Sequence, residues 1–275
     1  MGRTLRWFGL VLMAATLGCQ ASERLFGYVY ETETLPKGGI EYEQWLTYRN
    51  AKSQGNYTRW DLRHELEYGL TDDLQTSFYI NHTLVDQEGV EDLNEDGTVN
   101  VLDQESEWEF KGISSEWIYN VLSAYSDPIG LALYFEGTVS ETEGELEQKL
   151  LLQKNFFDDK LVVAINAVVE EEFDLETGNS DVEGKCEVSG GIAYKITPKF
   201  SLGIEAKNQR VYPDNFDFEE HSVWFVGPNV HYGDSRWFAT VTVLPQVSGH
   251  PDQGNGQNFD DNERIEVRLI AGVTF

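Results

Sequence analysis

The sharpest chemical pattern in this chain is a run of oxygen-bearing residues, Asp92-Leu-Asn-Glu-Asp-Gly-Thr-Val-Asn-Val-Leu-Asp103. Counted from Asp92, side-chain oxygens stand at positions 1, 3, 5, 9 and 12 (Asp92, Asn94, Asp96, Asn100 and Asp103). Gly97 and Thr98 occupy positions 6 and 7. Hard oxygens at this spacing suit Ca²⁺, which gathers about six to eight of them; the glycine permits the sharp turn and Thr98 offers its backbone carbonyl. The plainer reading of the same residues is an acidic, solvated loop built from turn formers. Calcium, held with the weak affinity of extracellular sites, is the one cofactor the pattern suggests.

A second set of chemical residues recurs on one face of alternating segments. Asp61, Arg63, Glu65, Glu67, Lys111, Glu116, Glu136, Lys149, Glu205, Lys207, Glu266 and Arg268 all project to the charged side of such runs. If those runs close around one lumen, mixed charges there either line a narrow pore for small solutes or cations, or pair across the lumen and fill it, which would leave a closed structural or surface-binding barrel with the calcium loop outside the cell. Catalysis has less to stand on. A lipid-modifying enzyme built on a membrane barrel needs a Ser and a His together near one rim. None of His64, His82, His221, His231 and His250 sits in the His-x-Ser-Asn setting that outer-membrane phospholipases use. His64 shares an apolar face with Trp60 and Tyr68, the setting of an interfacial aromatic. No catalytic residue is assigned, and the chain is read as a non-enzyme.

These residues need elements to hold them, and the periodicity supplies strands. In 60–70, Trp60, Leu62, His64, Leu66, Tyr68 and Leu70 alternate with Asp61, Arg63, Glu65, Glu67 and Gly69. A period of two puts alternate side chains on opposite faces. Similar runs cover 40–49, 74–84, 107–122, 129–139, 145–156, 161–169, 185–196, 200–210, 221–232, 236–247 and 265–275, about twelve strands in all. Short turns such as 71–73, 157–160 and 197–199 alternate with longer polar loops such as 85–106, 170–181 and 248–262. That rhythm predicts an all-β, up-and-down antiparallel transmembrane barrel over 40–275. An extra strand-like piece, 25–33, would make the count odd. It is placed in an N-terminal segment, 22–39, that lies in the periplasm or enters the lumen. Tyr42, Trp45, Tyr48, Trp60, Tyr68, Phe78, Trp108, Trp117, Tyr194, Trp224, Tyr232 and Trp237 are expected in aromatic girdles.

The two ends indicate the compartment. Arg3 and Arg6 precede a short apolar run, 7–18, and then Cys19-Gln20-Ala21. This reads as a signal peptide, 1–21, because the run falls short of the roughly 20 residues that span a bilayer as a helix. A lipoprotein signal at Cys19 is the alternative. After cleavage 18 Lys+Arg face 48 Asp+Glu, a charge of −30. So acidic a chain is not expected to bind nucleic acid or anionic lipid surfaces. Cys186 would be left as the single cysteine, so no intramolecular disulfide forms.

Three likenesses follow. The final strand, with Ile265, Val267, Leu269, Ala271, Val273 and a terminal Phe275 on one face and Ile270 as the exception, resembles the last strand of Gram-negative outer-membrane barrels. Phe26-Gly-Tyr-Val-Tyr-Glu-Thr-Glu-Thr-Leu-Pro-Lys-Gly38, with Glu41 to Trp45, Thr47 to Arg49, Glu67 to Leu74 and Gly227 to Tyr232, is similar to an uncharacterised family of such barrels. That resemblance implies the fold, outer-membrane lipid as surroundings and the bacterial outer membrane as location; it carries no activity. The 92–103 run resembles the calcium loop of EF-hands and, with Asp at position 12, of dockerin modules more closely. It differs from both in the strands expected to flank it.

Overall fold

The computed structural model describes residues 24–89, 91–93, 99–101, 104–175, 182–252 and 254–275. The expected signal peptide lies outside these residues. Strands form where the alternation is strongest: β1 (Ile40–Asn50), β2 (Asn56–Gly69), β3 (Leu74–Glu88), β4 (Glu91–Leu93), β5 (Val99–Val101), β6 (Glu105–Leu122) and β7 (Gly130–Val139). Then come β8 (Glu143–Phe156), β9 (Leu161–Asp174), β10 (Val182–Thr197), β11 (Phe200–Tyr212), β12 (His221–Gly233), β13 (Trp237–His250) and β14 (Ile265–Thr274). Twelve of these close into one barrel in the order β1-β14-β13-β12-β11-β10-β9-β8-β7-β6-β3-β2, while β4 and β5 pair as a separate hairpin. Every neighbouring pair in the barrel is antiparallel, and the seam joins Glu41–Asn50 of β1 to Ile265–Thr274 of β14. Closure leaves no open edge, the condition for a sheet to cross lipid.

The faces are those of a membrane barrel. Leu66, Phe78, Ile80, Leu133, Ile165 and Ile204 are exposed on the outside, whereas Glu43, Glu65, Glu67, Glu116, Glu205 and Glu266 are buried inside. A water-soluble barrel would reverse this arrangement. His64 and His82 sit in the outer aromatic surface. His82 packs 5.3 Å from Trp108 and 5.5 Å from Phe110, and the Tyr42 hydroxyl lies 3.0 Å from His64 Nδ1.

Strand length separates the two ends. β3 and β6 run 15 and 18 residues, longer than the roughly 9–11 needed to cross a bilayer, and their extra length lies at the long-loop end. At the opposite end the turns are tight. In the one after β12, the Arg236 N–H donates to the Asp234 carboxylate at 3.0 Å, an Asx-type closure. That bond, with Lys199 alongside, holds the exposed carboxyl below its ordinary range. One bulge is set by glycine: β3 and β6 slip register between Ile80 and His82. Gly112 lies nearby at φ +94°, where a Cβ would strike the Val139 carbonyl oxygen. Short turns face the periplasm and long loops the exterior in barrels of this type.

Candidate functional site

The interior has two halves, and residues 24–39 make the difference between them. This stretch, which the sequence assigns to the periplasm or the lumen, enters the lumen from the short-turn end, where Thr34 and Lys37 bond to Asp72 in the turn between β2 and β3. It forms no strand. A chain buried without a ladder must satisfy its peptide groups some other way. Here inward-facing side chains of the wall do so. Glu205 accepts from the backbone N–H of Gly27 at 2.8 Å, of Tyr28 at 2.7 Å and of Val29 at 3.2 Å. Asn166 accepts from Tyr30 N–H at 2.7 Å and returns a bond to its carbonyl at 3.0 Å. Gln153 and Gln75 accept from Thr32 and Leu35 N–H, both at 2.8 Å. Asn229 and Asn120 donate to the Leu25 and Thr32 carbonyls at 2.5 and 2.6 Å. Five amides and one carboxylate thus replace a neighbouring strand.

Its side chains fill the short-turn half. Phe26, Leu25 and Val29 pack with Val162, Ala164 and Ala193; Tyr28 packs with Val223, Phe225 and Leu244. Tyr30 joins Trp45, Ile118, Tyr134, Leu151 and Ile270. Phe26 fits because β10 carries glycine opposite it: a Cβ on Gly191 would stand 2.5 Å from the ring. Two expectations change as a result. Trp45 is 2% exposed and faces the lumen, not a membrane girdle. Ile270, the exception to the terminal alternation, is an inward residue packed on the same cluster. The parity of these strands holds; what differs is that part of the lumen is apolar because the segment inside it is apolar.

A single arginine ties the first described residue of this segment to the wall. Arg24 Nε lies 3.1 Å from both Glu43 oxygens, and its Nη2 lies 3.2 Å from Glu67 and 3.8 Å from Glu65. Its guanidinium also covers the rings of Tyr30 and Trp45 at 4.5 and 4.7 Å, a geometry that favours a cation. Burial of several carboxylates is tolerable only with such pairing.

Above this floor the long-loop half opens into a cavity of about 530 Å³. Its lining is polar and charged, as the alternation predicted. Of the twelve expected lumen charges, Asp61, Arg63, Lys111, Glu136 and Arg268 line the cavity. Glu65, Glu67, Glu116, Glu205, Lys207 and Glu266 are buried below it, and Lys149 stands against Glu147 at 2.8 Å. Some of these charges pair between strands. Arg63 bridges to Glu136, Lys207 meets Glu266 at 2.9 Å, and Arg49 lies 2.8 Å from both Asp61 and Glu266. Arg268 has no ion pair among the described residues. Its guanidinium donates to Thr47 Oγ1 and the Gly27 carbonyl at 2.9 and 3.1 Å, and lies 3.9 Å over the Tyr28 ring. It thereby joins cavity to floor.

Of the candidate calcium residues, Asn94, Asp96, Thr98 and Asp103 lie outside the described residues. Asp92 and Asn100 fall on β4 and β5, where they are register partners. Around them Glu91–Leu93 and Val99–Val101 pair as an antiparallel hairpin.

The barrel can be placed among known folds. It is similar to the crystal structure of the COG4313 outer membrane channel from Pseudomonas putida F1, with a TM-score of 0.60, 12% identity, and coverage of 89% of this chain and 98% of that one. It is also similar to the NanC porin, with a TM-score of 0.51, 11% identity, and coverage of 86% and 98%. At such identities the likeness speaks for the fold. No curated protein matches the sequence. The apolar exterior, charged interior and edge-free closure are those of a bacterial outer-membrane barrel. A family model matches residues 18–275, nearly the whole chain, so this protein belongs to the family of unknown function DUF6662.

Proposed function

We propose that this barrel is a narrow outer-membrane channel for small polar solutes, constricted by its own N-terminal segment. The observation that carries the reading is the charged cavity of about 530 Å³ on the long-loop side, whose floor is a segment held by hydrogen bonds and packing. Contacts of that kind can open and re-form, whereas a wall strand cannot leave without opening the barrel. The two similar structures, described as a channel and a porin, support the same reading. Planar-bilayer recording on the refolded mature chain tests it. The intact protein is expected to give small or intermittent currents, and a variant lacking residues 24–35 a steady conductance several times larger. Absence of current from both proteins would remove the channel.

A second role is compatible with the first. The 92–103 loop binds Ca²⁺ at the outer surface, favoured by the register that sets Asp92 opposite Asn100 and by the oxygen spacing of the loop. Calorimetric titration is expected to give saturable heat with the native chain and none with Asp92→Ala/Asp96→Ala. Equal heats would reject the site.

A further inference from the structure

The charges around the cavity are sorted by side. Arg49 lies on β1, Arg59 and Arg63 on β2, and Arg268 on β14, and all four line the cavity. These strands are neighbours in the ring. Six places away in the same twelve-membered ring stand β9 opposite β1, β10 opposite β2 and β8 opposite β14. From those three strands Glu143, Glu145, Glu170, Glu172 and Glu183 line the same cavity. Each side carries minority charge: Asp61 pairs with Arg49 and Arg59, and Lys185 pairs with Glu170 and Glu172 at 2.9 Å and Glu183 at 3.7 Å, so that among the described residues Arg268 on one side and Glu145 on the other have no ion pair.

The register sharpens the contrast. Arg49 and Arg59 are direct cross-strand partners. Glu172 is the direct partner of both Glu145 and Glu183, so three carboxylates form one row across three strands. Like charges placed directly opposite are destabilising, and here the excess on each wall points at one water-filled space.

Resting on the channel reading above, we propose that the vestibule selects small zwitterions of amino-acid type. A solute with an ammonium group at one end and a carboxylate at the other orients its ammonium to the glutamate row and its carboxylate to the arginines. A simple anion or cation gains from one wall and is repelled by the other. A neutral solute gains from neither. The cavity has room for a solute of this size together with water, and charged walls focus their field in such a cleft.

The test compares solutes of similar size in liposomes holding the full mature barrel. Labelled alanine is expected to enter at least fivefold faster than lactamide, lactate or tetramethylammonium. Glu145→Gln/Glu172→Gln/Glu183→Gln is expected to bring the alanine-to-lactamide ratio to one and to favour lactate. Arg59→Gln/Arg268→Gln, altered on the opposite wall, is expected to erase the ratio and to favour tetramethylammonium. If the native barrel passes alanine and lactamide equally, the zwitterion inference is wrong and the channel stands. If no solute enters faster than into protein-free vesicles, the channel reading is wrong. Saturation-transfer NMR on the detergent-folded barrel then decides the site: alanine signal that falls in both variants supports it, and equal signals from alanine and lactamide overturn it.

Discussion

Glu205 is the residue on which the seating of the inner segment turns. It is fully buried, and its two oxygens receive three consecutive backbone N–H groups and the Thr242 hydroxyl at 2.6 Å. Bonds to a charged acceptor contribute more than neutral ones, and a buried donor left without an acceptor costs about 1–3 kcal/mol. Glu205→Gln keeps the shape and turns one acceptor into a donor facing other donors. Amide exchange at Gly27, Tyr28 and Val29 is expected to quicken by about 100-fold, equivalent to about 2.7 kcal/mol, while amides in β1 and β14 stay protected. Unchanged exchange at the three positions would show that packing alone holds the segment. From the sequence Glu205 is legible as an inward charge. Its partner is not, because the bonds it makes reach 176–178 residues back along the chain.

At the scale of elements, the strands were legible, and the inner segment was legible only as a piece that lies in the periplasm or enters the lumen. All twelve barrel strands fall where alternation places them, because the membrane outside and water or charge inside impose opposite preferences on successive residues. Residues 25–33 also read as strand-like, since their composition is strand-like, yet they find no ladder. The signal that could have revealed them is on the wall: Gln75, Asn120, Gln153, Asn166 and Asn229 are uncharged amides buried at inward positions, each able to pair with a peptide group. Gly191 is another such mark, leaving space for Phe26. Gly191→Leu is expected to expel the ring, raise conductance toward that of the 24–35 deletion and leave strand content by circular dichroism unchanged. A variant with native conductance would mean that the segment reseats around the larger side chain.

For the molecule as a whole, the decisive property is the division of its lumen into an occupied half, where apolar side chains pack beside paired buried charges, and a charged, open half. The charges of both halves were predictable as inward-facing, whereas the apolar filling of the occupied half was not. The parity that sorted Asp61, Arg63, Glu136 and Arg268 inward was right, but parity reports which face a residue takes and not what fills the space there, so Trp45 was assigned to lipid and Ile270 stood out as irregular. The hairpin of β4 and β5 was hidden for a different reason: two three-residue strands are too short to show a period. The division also implies an order of events. Contacts of the inner segment with the wall span 121 residues from Thr32 to Gln153 and 241 from Gly27 to Arg268, whereas neighbouring strands of the wall pair mostly through short connections. Ordering distant parts of a chain costs more entropy than zipping adjacent ones. The hairpins therefore form first and the segment settles after its distant partners on β8, β9, β11 and β14 have been made and brought round. On that order the wall is complete before it is filled, and the hollow barrel is the form that the channel reading above takes as open.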